Sequence, residues 1–178
     1  MATIKQPLIV EEKEKHDLII KAIKSSNTHG HKHRLFLDVD GTLVAMKFNP
    51  NWKDAKHWWD HENETTRQRT DFCHWLNSVY KVLDYNCEVY VLTNYTLEEE
   101  KAEKVRWIDD NLKCKHTLIL NKEGISKALY VQGPNDILVD DTFRNLIEWD
   151  AAGGTQFASQ WVMCEKGRRE LMEKIIKE

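Results

Sequence analysis

The sequence predicts an α/β protein, a parallel sheet in three layers with helices on both faces. Three observations point there. Short apolar segments of strand length alternate with segments of helical period from residue 34 onward. Three of the predicted strands run into polar clusters, Asp38-Val-Asp40, Thr93-Asn94 and Asp140-Asp141, at the carboxyl ends where parallel sheets carry their ligand sites. The chain has 178 residues, 41% of them hydrophobic, which suits one domain with its own core.

Taken in order, residues 10–25 read as a charged, modestly amphipathic helix, and 27–33 as a polar loop. His29, His31 and His33 alternate in that loop. Alternation on an extended segment can chelate a metal, but a solvated loop is the expectation. Residues 34–44, RLFLDVDGTLV, form a buried strand entering a turn. Residues 48–62 are polar and aromatic with weak periodicity. Across 65–85, Phe72, Trp75, Leu76, Val79, Tyr80 and Leu83 fall on one helical face. Residues 88–93 are a second strand. Thr96 and Glu99 form a capping box for a helix reaching about Leu112. Residues 116–120 are a third strand, and Ser126 caps a short helix. Residues 136–139 are a fourth strand, followed by a helix over 145–152 that Gly153 ends in a left-handed conformation. A fifth strand over 155–158 and a helix over 164–177 complete the pattern. Residues 1–33 are expected as a helix and loop packed on the main domain, 34–178, with a small flap or mini-cap at about 47–64.

Composition narrows the function classes. A net charge of -3 and a pI of about 6.2 give no bulk attraction for nucleic acid. No apolar run reaches the roughly 18 residues of a membrane span. The first residues lack the apolar core of a signal peptide, so a soluble cytoplasmic protein is expected. Cys73, Cys87, Cys114 and Cys164 form no CxxC pair and read as buried, reduced thiols. No GxxxxGK[ST] phosphate loop is present.

Asp38 and Asp40 carry the first chemical signal. If the strand continues through them, both carboxylates lie on one face. Such neighbours repel, and a shared proton or a hard divalent cation relieves them. Gly41 lets the backbone turn sharply beside them. A solvated Asx-turn is the alternative for this pair alone.

The remaining strand ends add to that signal. LFLDVDGTLV resembles the first motif of the haloacid dehalogenase-like superfamily, VYVLTN the second, Lys127 in SKALYV the third and DILVDD the fourth, in the family's order. The resemblance covers about residues 34–160 and implies a Rossmann-like fold and a magnesium-dependent phosphomonoesterase. It implies that Asp38 is the nucleophile that carries the phosphoryl group. Asp40 would be the acid and base, with its carbonyl on the metal. Thr93, with Asn94, would bind the phosphoryl oxygens, and Lys127 would neutralise charge. Asp141 would ligate Mg2+, with Asp140 behind it. Lys122 is the rival for the lysine role. The second acid, Asp40, speaks for phosphoryl transfer and against dehalogenation. Lys104, Trp107, Asn145, Trp149 and Gly153-Gly154 are similar to a finer pattern, that of deoxyribonucleotidase-like phage and bacterial nucleotidases.

A small flap leaves the site open. It holds Phe48, Trp52, Trp58 and Trp59 beside Lys47, Lys53, Lys56, His57 and His61. Trp58 and Trp59 are candidates to stack on a nucleotide base, against the plainer expectation that they pack the flap down. The expected substrate is a small phosphate, first a nucleotide. The alternatives are a nucleic-acid end, which the acidic balance disfavours, and an inactive binding module, which would lack Asp38, Asp40 or Lys127.

Overall fold

A computed structural model describes residues 6–12, 17, 19, 21, 30, 33–45, 59 and 67–176. Six strands form one sheet: β1 (Leu8–Val10), β2 (His33–Leu37), β5 (Cys87–Tyr95), β6 (Thr117–Lys122), β7 (Asp136–Asp140) and β8 (Thr155–Ala158). Their order is β1-β6-β5-β2-β7-β8, and every pair is parallel. A two-stranded antiparallel ribbon pairs β3 (Val44–Ala45) with β4 (Gln68–Arg69). From Asp71 onward the helices are α1 (Asp71–Ser78), α2 (Tyr80–Asn86), α3 (Glu98–Asn111), α4 (Phe143–Ala151), α5 (Ser159–Val162) and α6 (Glu165–Ile176), with a 3-10 turn at Lys127–Tyr130.

The alternation of strand side chains makes this a three-layer, Rossmann-like α/β fold. Leu35, Leu37, Val89, Val91, Leu118, Leu120, Ile137 and Val139 pack on one face with Trp107 and Ile108 of α3 and Leu171 and Ile175 of α6. Phe36, Tyr90, Leu92, Ile119 and Leu138 pack on the other with Leu146 and Trp149 of α4, Tyr130 and Ile19. The two central strands, β2 and β5, are buried along nearly their whole length because both of their faces are covered. Among the described residues no helix is long and apolar enough to cross a membrane.

Several expectations need correction. The N-terminal region supplies an edge strand: Leu8, Ile9 and Val10 pair with Ile119, Leu120 and Asn121. The helix expected from residue 10 is helical at Asp17, Ile19 and Lys21. His33 is not in a polar loop but begins β2, buried; His29 and His31 lie outside the described residues. The helix expected over 65–85 starts at Asp71, because Thr70 caps it by accepting from Cys73 N–H at 3.1 Å. It also breaks at Val79, whose N–H is shared between Trp75 O and Leu76 O. The box at the start of α3 closes one residue later than expected, with Glu100 Oε2 accepting from Thr96 N–H at 3.0 Å. Of the thiols, Cys73, Cys87 and Cys114 are buried, but Cys164 is exposed.

Candidate active site

β2 and β7 are neighbours, and their ladder carries the acidic centre. Asp38 lies just past β2, where its N–H still donates to Val139 O at 3.0 Å. Asp140 closes β7. Ser126 caps the 3-10 turn by accepting from Ala128 N–H, and this aims Lys127 across the sheet edge. Lys127 Nζ donates to Asp38 Oδ1 at 2.6 Å and to Asp140 Oδ2 at 2.7 Å. All three residues are buried. Lys122, the rival, is exposed at the end of β6.

Asp140 is fully engaged. Besides Lys127, it accepts from Thr142 N–H at 2.8 Å and from Asn145 Nδ2 at 3.1 Å on each oxygen. Asp141 is partly exposed, and Thr142 Oγ1 donates to its Oδ1 at 3.1 Å. Its Oδ2 rests against Gly41, where φ is 74° and a Cβ would collide with that oxygen. Oxygens of Asp38, Asp140 and Asp141 lie within 4.8 Å of one another.

This cluster is short of positive charge. Burial pushes the Asp38 carboxyl up to about 8; Asp140 and Asp40 push the same way, and Lys127 opposes them. Burial and Asp140 raise Asp141 as well. Burial disfavours the Lys127 charge, but Asp38 and Asp140 outweigh it and raise that group. Carboxylates in this arrangement, served by one ammonium, fit a hard divalent cation such as Mg2+. Asp38 and Asp141 offer the oxygens for it; those of Asp140 are taken.

Asp40 belongs to a second unit. β2 ends at Leu37, and Val39 O accepts from Thr42, Leu43 and Val44 N–H, so the chain turns at Asp40 rather than continuing as a strand. The two aspartates are therefore not held side by side by strand alternation, as expected. Lys104 of α3 donates to Asp40 Oδ2 at 2.5 Å, to Thr93 Oγ1 at 3.1 Å and to Asn94 O at 2.5 Å. Trp59 Nε1 donates to Asp40 Oδ1 at 2.7 Å. Thr70 Oγ1, at the start of α1, donates to Thr42 O at 2.7 Å and ties that helix start to this turn.

Asp38, Asp140, Asp141 and Lys127 thus come together, and Lys104 gathers Asp40, Thr93 and the Asn94 carbonyl into the second unit. Trp59 is buried, with Arg67 Cζ 4.9 Å and Lys104 Nζ 5.1 Å from its ring centroid, so it offers no open face for stacking. Trp58 and the rest of the flap aromatics lie outside the described residues. Of the finer pattern, Lys104 and Asn145 touch the site. Trp107 and Trp149 are core residues that donate to Arg67 O and Asp136 O, and a Cβ at Gly154 would strike the Trp149 ring. The role of Lys104 escaped sequence reasoning. Its signal is a lysine on the apolar side of α3, one turn before Trp107 and Ile108.

The sequence matches no protein-family profile and no curated protein. Among solved structures it is similar to a HAD-superfamily hydrolase, subfamily IA, variant 1, from Geobacter sulfurreducens PCA. The TM-score is 0.44 with 10% identity, covering 74% of this chain and 89% of that one. At that distance, chemistry has to be read from the side chains themselves.

Proposed function

We propose that this chain is a phosphomonoester hydrolase of the haloacid dehalogenase-like superfamily, working through an aspartyl phosphate on Asp38. The observation that carries this reading is the division of the site. Lys127 serves Asp38 and Asp140, while a separate lysine, Lys104, serves Asp40. Two carboxylates with separate partners can take separate roles, nucleophile and proton carrier.

Asp38 attacks phosphorus, and the bond from phosphorus to the ester oxygen breaks. Asp40, protonated at this stage, gives its proton to the leaving oxygen. Asp40 then takes a proton from water as that water attacks the acyl phosphate; the bond to Asp38 breaks and inorganic phosphate leaves. Lys127 offsets charge on the nucleophile, and Thr93 and Asn94 bind phosphoryl oxygens. Mg2+, held by Asp38, Asp141 and the Asp40 carbonyl, would neutralise phosphoryl charge when bound. Asp140 keeps Lys127 in register, with Asn145 and Thr142 holding Asp140.

The substrate class that fits best is a small phosphate, with a nucleotide as the first choice through Trp58 in the flap. The cysteines are all free, which suits a reducing, cytoplasmic setting. A screen of phosphomonoesters with Mg2+, nucleotides and sugar phosphates included, tests the reading. Hydrolysis of at least one, abolished in Asp38→Asn, is the expected result; no turnover of any favours an inactive binding module.

A further inference from the structure

At the carboxyl edge of the sheet, Asn94 of β5 and Asn121 of β6 are register partners. Side chains of such partners leave the same face of neighbouring strands, about 4.8 Å apart. That face is the one carrying Phe36, Ile119, Leu138 and Tyr130, and by alternation it is also the face of Asp38 and Asp140.

Both amides are incompletely bonded, and in complementary ways. Tyr130 Oη donates to Asn121 Oδ1 at 2.7 Å, which leaves the Asn121 NH2 as the free end. Among the described residues, Asn121 Nδ2 and Asn94 Oδ1 are buried without a hydrogen-bond partner. Asn121 is wholly buried and cannot meet a substrate, whereas Asn94 is partly exposed. A buried donor and a buried acceptor on adjacent register positions satisfy each other with a small side-chain rotation.

We propose that Asn121 is a positioning residue for Asn94. Seated by the Tyr130 hydroxyl, it turns its amide to donate Nδ2–H to Asn94 Oδ1. An Asn amide has two ends of nearly the same shape, and only its partners decide which end faces where. With Oδ1 claimed from behind, Asn94 presents its NH2 to a phosphoryl oxygen and keeps its carbonyl oxygen, which would repel one, turned away. The consequence for substrate rests on the phosphatase reading; the pairing itself does not.

The test is a double-mutant cycle with Asn94→Ala, Asn121→Leu and their combination, plus Tyr130→Phe as a milder variant in case Asn121→Leu does not fold. KM for p-nitrophenyl phosphate and the urea midpoint are both read. Asn121→Leu should raise KM about tenfold, the worth of one oriented hydrogen bond, with kcat changed far less. In the Asn94→Ala background it should raise KM no further, and Tyr130→Phe should move KM the same way by a smaller factor. Additive KM effects, or folded Asn121→Leu and Tyr130→Phe proteins with unchanged KM, overturn the proposal. If no phosphomonoester is hydrolysed, the urea midpoints decide alone. Non-additive losses between Asn94 and Asn121 support the pairing, and additive ones overturn it.

Discussion

Lys104 Nζ stands 2.5 Å from Asp40 Oδ2 while also donating to Thr93 and to the Asn94 carbonyl, so one buried ammonium ties the turn after β2 to the end of β5. A lysine only 1% exposed is rare unless its charge is paired. Its place predicts a specific defect. If Lys104 holds Asp40 where it protonates the leaving oxygen, Lys104→Met should cost about 100-fold in kcat on an alkyl phosphate, whose leaving group needs that proton. On p-nitrophenyl phosphate, whose leaving group departs unaided, the loss should be under about tenfold. Steady-state kinetics on both substrates check this, and equal losses would mean Lys104 serves packing or bulk charge instead.

The charge state of Asp38 predicts a pH dependence of stability. Its folded carboxyl lies at about 8 against 3.8 in the unfolded chain, with burial as the main cause. The folded protein then binds more protons than the unfolded one between those values. The stability tied to protonated Asp38 is complete below pH 3.8 and is lost as pH rises toward about 8. Relative to Asp38→Asn, the metal-free protein should therefore lose stability steadily across that window. At pH 8 the variant should melt higher, on the order of 3 °C per kcal/mol of relief. Thermal melts in EDTA read the difference, and a constant offset at every pH would contradict it.

Asp141 has an oxygen turned to Gly41, whereas Asp140 is saturated by Lys127, Thr142 and Asn145. Asp141→Asn should raise the Mg2+ concentration for half-maximal activity by about tenfold or more, roughly 1.4 kcal/mol. Asp140→Asn should lower kcat and the melting temperature with a smaller change in Mg2+ requirement. Titration of activity with Mg2+ after EDTA treatment ranks the two, and the reverse ranking would exchange their roles.

Trp59 and Trp58 should separate. Trp59 donates its indole N–H to Asp40, so Trp59→Phe should impair a nucleoside monophosphate and glycerol phosphate alike, by about tenfold in kcat/KM. Trp58→Ala should raise KM selectively for the nucleotide, by a stacking energy of about 1–3 kcal/mol. Kinetics on both substrates check this pair. No selectivity at Trp58 would remove the base from the substrate and favour a sugar phosphate.

The strand ends were legible in sequence because each is a short apolar run closing on polar residues, and the sheet order puts those ends together. β8 was legible to the residue, and so was Ser126 as a cap. The edge strand β1 was not, since three residues, LIV, in front of a charged segment carry no period of their own. The Val79 break was hidden because α1 and α2 continue one apolar stripe. In the site, Asp38, Asp140 and Lys127 could be placed from motif order alone. Whether Asp140 or Asp141 keeps a free oxygen depends on Thr142, Asn145 and Gly41, whose contacts are tertiary. Lys104 was visible only as part of a pattern: a lysine within a charged helix looks solvated until the helix is docked. Trp59 could be read in sequence as packing or as stacking, because sequence shows its type but not the Asp40 carboxylate that receives its N–H.

On the proposed mechanism, Asp38 carries the phosphoryl group. The most direct measurement is an acid-quenched single turnover with a radiolabelled phosphomonoester and Mg2+, followed by proteolysis and mass spectrometry of the labelled peptide. Transient label is expected on the peptide containing Asp38, stable in acid, released by mild base and absent in Asp38→Asn, whose turnover falls at least about a thousandfold, some 4 kcal/mol. Turnover at the wild-type rate in Asp38→Asn, or label on any other residue, would contradict it.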